Sequence, residues 1–246
     1  MDIGKKGTTV QCGATDAASA DSNAGQIRTK IEEQVQWLRS TPLFLAAAQD
    51  ELDLNTVKGI LPHLYTFSLL FERILMRRMS LFKGNQFDLH LMEEAHRHLL
   101  EEIGHFKLFQ SILIELGYSS QEIQNIRPLP ATETVYGYFL LLMEEYDAMV
   151  VNIGIMQCLE TIGQEFFGTL LPYLQKFNLP TAAFQEHTHL DEDHANIGYD
   201  LYHLMSSDML ARTLAVIEQI FTLMSEMLNK WLEHATERAR QVEQEG

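Results

Sequence analysis

Two histidines and an aspartate are spaced so that one helix would turn all three towards a single point. His187, Asp191 and His194 lie in the segment EHTHLDEDHANIG. At roughly 100° per residue, the three side chains fall within about 60° of one another on a helix. Leucine and isoleucine flank that face, so the polar groups point inward, and buried polar groups need partners. A metal ion is one partner that suits two imidazoles and a carboxylate.

A second segment, EEAHRHLLEEIGHFKLF, offers a carboxylate and an imidazole one helical turn apart. Glu102 leans towards the apolar side of this helix and Glu101 towards its charged side, so Glu102 is the preferred inward carboxylate. The spacing Glu102-x-x-His105 lets two side chains converge on one ion from a single turn. The segment therefore predicts a second pair of metal ligands.

Glu160 is a single acid within an apolar helix face that it shares with Met156 and Phe167. Ionised carboxylates are rarely buried without a charge partner. The three motifs together predict six ligands from three helices: Glu102, His105, Glu160, His187, Asp191 and His194. Three carboxylates nearly balance the charge of two divalent cations. Mixed carboxylate and imidazole ligation suits iron or manganese better than zinc.

Each motif also has a reading without metal. The His-Asp-His set is compatible with a hydrogen-bonded core cluster or a surface face, and Glu160 with a salt bridge to Arg73 or Arg77. Glu102 and His105 are compatible with an ordinary, partly exposed pair. The agreement of all three motifs favours metal. Four other histidines are assigned to solvent and Cys158 to the core as a structural thiol; the histidines are His96, His189, His203 and His234.

The elements that would position these residues are all helical. Residues 1–24 are predicted to be a flexible tail, and residues 25–242 one all-α domain, a bundle of about seven helices. The predicted segments are Ile27–Arg39, Leu43–Leu52, a helix capped by Asn55 or Thr56 and ending near Leu81, Phe87–Leu116, Ser119–Ile126, Thr134–Lys176 with a division or kink near Gly154 or Pro172, a helix ending near Met205, and a last helix capped by Ser206–Asp208 and ending near Arg240.

The composition narrows the class of function. The formal net charge of −16 argues against nucleic acid or an anionic membrane surface as the partner. Two cysteines give no disulfide framework. The absence of an apolar N-terminal core and of a long uncharged run leads us to expect a cytoplasmic protein without a membrane span.

The segment HFKLFQSILIELG, which begins at His105, resembles a motif of the haem-oxygenase-like di-iron oxidases and oxygenases. His187-x3-Asp191-x2-His194 is similar to the signature of their final ligand helix, and Glu160 falls between the two motifs. The resemblance covers roughly Leu43–Leu228. It implies the same six ligands, with Glu101, Glu94 and His98 as alternatives around the first position and Glu72 as an added carboxylate.

The resemblance implies two Fe(II) ions per chain and O2 as co-substrate. The substrate would be an amino acid or a related carboxylated or fatty-acid-like small molecule in a biosynthetic pathway, which is cleaved, decarboxylated or N-oxygenated. Two alternatives stay open: a metal-free, thiaminase-like enzyme of the same fold, similar to the TenA bundles, with Cys158 as nucleophile, and a non-catalytic, ferritin-like iron-binding bundle. The oligomeric state is also open, with a homodimer among the arrangements considered.

Overall fold

The structure, a computed structural model, describes residues 22–82, 86–146, 148–185, 187 and 199–245. These residues form helices and no strand, which confirms the predicted all-α class. The helices are α1 (Asn23–Leu38), α2 (Pro42–Ala48), α3 (Leu54–Arg78), α4 (Gln86–Glu102), α5 (Phe106–Glu115), α6 (Ser120–Asn125), α7 (Pro130–Glu145), α8 (Ala148–Val150), α9 (Gln157–Lys176) and α10 (Ser207–Glu245).

Helices α3 and α10 form the most extensive pair in the bundle. Gly59 of α3 allows this close approach, because a Cβ atom there would lie 2.8 Å from the Cβ of Ala235. Helices α5, α7 and α9 also pack on α3, and α1 packs on α10. No helix in the described ranges combines the length with the apolar character that crossing a membrane requires.

The caps of the two central helices differ in how well the sequence predicts them. The predicted cap of α3, Asn55 or Thr56, is wrong by at least two positions: the side chain of Asp53 accepts a hydrogen bond from the backbone N–H of Thr56 at 2.7 Å. Asp53 can cap the helix in place of Asn55 because an aspartate side chain accepts this backbone hydrogen bond as well as an asparagine side chain does. The predicted cap of α10 is confirmed, since Ser206 Oγ accepts from the N–H of Met209.

The single helix predicted at Phe87–Leu116 is wrong, because the chain divides it into α4 and α5. The break lies at Gly104, whose φ of 97° is a conformation that residues with a Cβ rarely adopt. The apolar spacing continues across the break, so periodicity alone conceals it. The turn at Gly104 brings His105 close to the end of α4.

The kink predicted near Gly154 takes the form of a π-helical segment, Val151–Met156, which joins α8 to α9. The side chain of Asn152 donates to the carbonyl oxygen of Ala148 at 2.6 Å, which satisfies an acceptor within the irregular turn. Gly154 faces α10, where an added Cβ would lie 2.8 Å from Val216 Cγ1. Glu160 follows this segment directly, one turn into α9.

Candidate metal centre

Three of the six predicted ligands converge at one buried point. Each of Glu102, His105 and His187 offers a ligand atom, and these atoms all lie within 4.8 Å of one another. Glu102 and His187 are each only 5% exposed. The remaining residues of the last predicted motif, Asp191 and His194, lie outside the described residues. The described part of the site thus joins the end of α4, the following turn and the segment that carries His187.

Glu102 fixes the tautomer of His105. Nδ1 of His105 lies 2.9 Å from Oε2 of Glu102. An ionised carboxylate only accepts hydrogen bonds, so Nδ1 carries the proton and the lone pair is left on Nε2. A histidine that donates one ring N–H to a carboxylate is the usual arrangement at metal sites. His105 is therefore oriented as a ligand through Nε2.

The turn between α4 and α5 is tied to α3. The backbone N–H of Gly104 donates to Oε1 of Glu72 at 2.5 Å. This bond holds the turn against α3 and places Glu72 beside the end of α4. Glu101, the neighbour of Glu102, is exposed. The preference for Glu102 over Glu101 as the inward side chain is therefore confirmed.

Aromatic rings hold His187 in place. Its imidazole stacks on Phe167 with ring centroids 4.5 Å apart, and on Phe109 with centroids 5.5 Å apart. The ring of His105 meets it edge-on, at 5.0 Å. Since the stacked rings restrict rotation of the imidazole, His187 is held towards Glu102 and His105.

These residues line a cavity of about 70 Å³, which we call the site cavity. Its polar lining consists of the carboxylates Glu72, Glu102 and Glu160, the imidazoles His105 and His187, and the hydroxyl of Ser68. The rest of the lining is apolar or aromatic, and among the described residues no lysine or arginine lines it. Three carboxylates around one small cavity need positive charge, which a bound cation would supply.

Behind Glu160 lies a buried arginine. Arg78, at the end of α3, is 0% exposed, and its Nη1 lies 3.0 Å from Nδ1 of His98. Arginine only donates, so Nδ1 of His98 accepts and Nε2 carries the proton. That Nε2 lies 3.1 Å from Oε1 of Glu160. Because both ring nitrogens of His98 face protein side chains, His98 positions Glu160 and does not face the site cavity.

Arg78 supplies part of the positive charge that the metal-free alternative requires near Glu160. The metal-free alternative paired Glu160 with Arg73 or Arg77, and of these Arg77 pairs with Glu144 at 3.8 Å. Burial lowers the pKa of Arg78 to about 10, while the negative charges of Glu160 and Glu94 act to raise it. A guanidinium with that pKa stays charged near neutral pH. The guanidinium of Arg78 therefore offsets part of the negative charge of Glu160. Among the described residues, no lysine or arginine lines the cavity beside Glu72 and Glu102.

Sequence reasoning did not single out Arg78, because Arg73, Arg77 and Arg78 all lie in the last two turns of α3 and spacing does not show which one is buried. His96 and His203 are exposed, as predicted. His234 is also exposed, yet its Nδ1 lies 3.0 Å from Nε2 of the buried His63. Cys158 is fully buried, and burial raises the pKa of its thiol far above the usual range.

The fold and the cavity define a class: a haem-oxygenase-like helical bundle that encloses carboxylate and histidine side chains. The family model described as "iron-containing redox enzyme" matches residues 62–224. The chain belongs to this family of iron-containing redox enzymes. No curated protein matches the chain significantly in sequence.

Solved structures share the fold at low sequence identity. A domain of unknown function with a heme oxygenase-like fold from Shewanella denitrificans is 16% identical, with a TM-score of 0.68 and coverage of 90% of this chain and 95% of that chain. A TenA homologue from Pseudomonas syringae is 9% identical, with a TM-score of 0.69 and coverage of 88% and 97%. Heme oxygenase-1 from Synechocystis, solved with heme, is 12% identical, with a TM-score of 0.61 and coverage of 90% and 97%. At these identities the likeness establishes the fold alone.

Proposed function

We propose that this protein is a non-haem di-iron oxidase or oxygenase that uses O2 to oxidise an amino acid or a related carboxylated small molecule. The observation that carries the proposal is the convergence of Glu102, His105 and His187 within 4.8 Å, in a cavity that Glu160 also lines. Oxygen and nitrogen donors in this mixture fit iron(II). Family membership supports iron as the metal.

The ligand set of the proposal is Glu102, His105, Glu160, His187, Asp191 and His194. When bound, iron(II) would supply the electrons that reduce O2 while the substrate is oxidised. The chain's own residues hold and orient the site. Nδ1 of His105 lies beside Glu102, which leaves its Nε2 as the ligand atom. The stacked rings orient His187, and Nε2 of His98 lies 3.1 Å from Oε1 of Glu160. The rest of the lining of the site cavity is apolar or aromatic.

The first test is metal binding. The chain is loaded with ferrous ion under anaerobic conditions, iron is quantified, and O2 is then added in a stopped-flow spectrometer. We expect up to two irons per chain and an O2-dependent absorption change. Binding of less than one iron by the intact chain refutes the proposal, and uptake far beyond two would favour the ferritin-like alternative.

A matched pair of variants locates the site. His187→Ala removes a buried imidazole of the cluster and is expected to lower iron binding by about 10-fold or more, because a ligand is lost. His96→Ala removes an exposed imidazole of α4 and is expected to leave iron binding as in the wild type. Equal effects of both variants on iron binding would contradict the assignment of His187 as a ligand.

The thiaminase-like alternative requires a reactive cysteine. Cys158 is buried, its thiol is held protonated, and it is absent from the lining of the site cavity. A nucleophilic thiol needs access and a lowered pKa. The described geometry of Cys158 therefore favours the metal-dependent reading.

A further inference from the structure

The chain that carries the last predicted motif is attached to α9 on both sides of that motif. Before the motif, the imidazole of His187 stacks on Phe167 of α9 with ring centroids 4.5 Å apart. After the motif, the hydroxyl of Tyr202 donates to Oε1 of Gln157, the first residue of α9, at 2.5 Å. Glu160 lies on α9 between these two points of attachment.

The hydrogen bond between Tyr202 and Gln157 is buried. The two residues are 3% and 1% exposed, respectively. A buried phenol and a buried amide both need hydrogen-bond partners, and removing one partner leaves the other unsatisfied at a cost. Gln157 stands three positions before Glu160, in the same first turn of α9. The position of this turn is therefore coupled to the position of Tyr202.

Helix α1 holds Tyr202 from the other side. Tyr202 belongs to a short 3₁₀ helix, Tyr199–Leu204. The side-chain amide of Asn23, the first residue of α1, donates to the carbonyl oxygens of Tyr202 at 2.9 Å and of Met205 at 3.0 Å. Carbonyl oxygens at a helix end have acceptor capacity left, and an asparagine amide has two N–H donors, so one side chain bonds both.

These contacts join three separate parts of the chain. Asn23 precedes residues 62–224, which the family model matches, so the brace from α1 lies outside the segment that defines the family. We call Asn23, Gln157 and Tyr202, with their three hydrogen bonds, the Tyr202 network. The network connects the start of α1, the chain beyond the last predicted motif and the turn of α9 that carries Glu160.

We propose that Tyr202 is a positioning residue for the metal site. Through the Tyr202 network it fixes the chain after the last predicted motif against the turn that presents Glu160. This inference rests on the proposed function, because it concerns residues that stand behind the proposed ligands. Partners that orient metal ligands matter nearly as much as the ligands, and their loss typically weakens metal binding about 10- to 100-fold.

The variant Tyr202→Phe tests the proposal, since it keeps the ring and removes the hydroxyl. Ferrous ion is titrated anaerobically in competition with a chromogenic chelator, and the Kd for iron is expected to rise about 10-fold. Tyr173→Phe is the matched control. Tyr173 is also buried on α9 and donates its hydroxyl to the carbonyl oxygen of Ala47 at 2.6 Å, but it does not line the site cavity. This control should keep the wild-type Kd.

Two measurements on the metal-free chain separate positioning from stability. Urea unfolding is expected to shift to a similar extent in Tyr202→Phe and Tyr173→Phe, because each variant loses one hydrogen bond of a buried tyrosine. Hydrogen–deuterium exchange is expected to become faster in peptides covering 157–163 and 199–205 in Tyr202→Phe only. A weakening of iron binding that came from lower stability alone would appear in both variants.

A double-mutant cycle tests whether Tyr202 acts through Gln157. Gln157→Leu removes the acceptor and is expected to raise the Kd for iron as much as Tyr202→Phe does. The double variant should show no further rise, because both changes remove the same hydrogen bond. Gln157→Leu also decides the matter if Tyr202→Phe does not fold. Asn23→Ala is expected to raise the Kd as well, whereas Asn125→Ala, at an exposed position on α6, should not.

The outcomes separate this inference from the proposed function. Iron binding with the wild-type Kd in both Tyr202→Phe and Gln157→Leu overturns the positioning role and spares the proposed function. Equal weakening in Tyr202→Phe and Tyr173→Phe also overturns it, since stability would then account for the loss. Binding of less than one iron by the wild-type chain refutes the proposed function, and the positioning role is refuted with it.

Discussion

His63 makes the stability of the folded chain depend on pH. Its imidazole on α3 is 4% exposed, and its Nδ1 has no hydrogen-bond partner among the described residues. Burial, followed by the positive charges of His234 and Arg238, lowers the pKa of His63 from 6.5 to about 4. The folded chain thus holds this imidazole neutral where the unfolded chain would protonate it.

The magnitude follows from the two pKa values. Because the folded pKa is the lower one, the contribution of His63 to stability is complete above about pH 6.5 and is lost as the pH falls towards 4. Between about pH 7.5 and about pH 5, the unfolded state gains a proton that the folded state refuses. At about 1.4 kcal/mol per pKa unit, this costs about 2 kcal/mol of the free energy of unfolding.

Urea unfolding at a series of pH values, followed by circular dichroism, measures this loss. His63→Gln removes the titrating group, so the variant is expected to lose about 2 kcal/mol less than the wild type over the same pH range. His96→Gln, at an exposed position on α4, is the control and should follow the wild type. If His63→Gln and the wild type lose stability in parallel, the burial argument for His63 is refuted.

Three further outcomes follow from described contacts. Arg78→Met removes the buried guanidinium near Glu160 and is expected to destabilise the metal-free chain by about 3 kcal/mol in urea unfolding. The loss should be smaller after ferrous loading, because bound iron replaces the missing positive charge. An equal loss in both states would contradict this account. Gly104→Ala is expected to cost about 1–2 kcal/mol through its positive φ, whereas Gly137→Ala, in the middle of α7, should stabilise slightly; thermal unfolding compares the two, and equal shifts would rule out strain at Gly104. Iodoacetamide is expected to leave O2 consumption unchanged and Cys158 unlabelled in peptide mass spectra, because the thiol is buried and protonated; inactivation that tracks its labelling would favour the thiaminase-like alternative.

The sequence was sufficient for the helix faces but not for the breaks between helices. The inward direction of Glu102 and the outward direction of Glu101 followed from 3.6-residue periodicity, which depends only on neighbours along the helix. The break at Gly104 did not follow, because a single glycine is tolerated in many helices. The turn at Gly104 also donates a backbone hydrogen bond to Glu72, which lies on another helix and is not visible from local spacing.

The surroundings of Glu160 were harder to predict for a similar reason. An unpaired acid in an apolar face indicated that a partner exists, but three arginines lie in the last two turns of α3. Which arginine is buried depends on how α3 packs against its neighbours. Arg78 is the buried one, and it contacts His98, which lies beside Glu160. Tertiary packing therefore decided what one-dimensional spacing left open.

The π-helical segment Val151–Met156 determines which side chains of α9 face the site cavity. A single π turn is equivalent to one extra residue inserted into a regular helix, and each residue in an α-helix turns the face by roughly 100°. If one residue were deleted here and the helix became regular, every later side chain would occupy the place of its neighbour. Glu160 would then leave the lining of the site cavity, although no predicted ligand had been substituted.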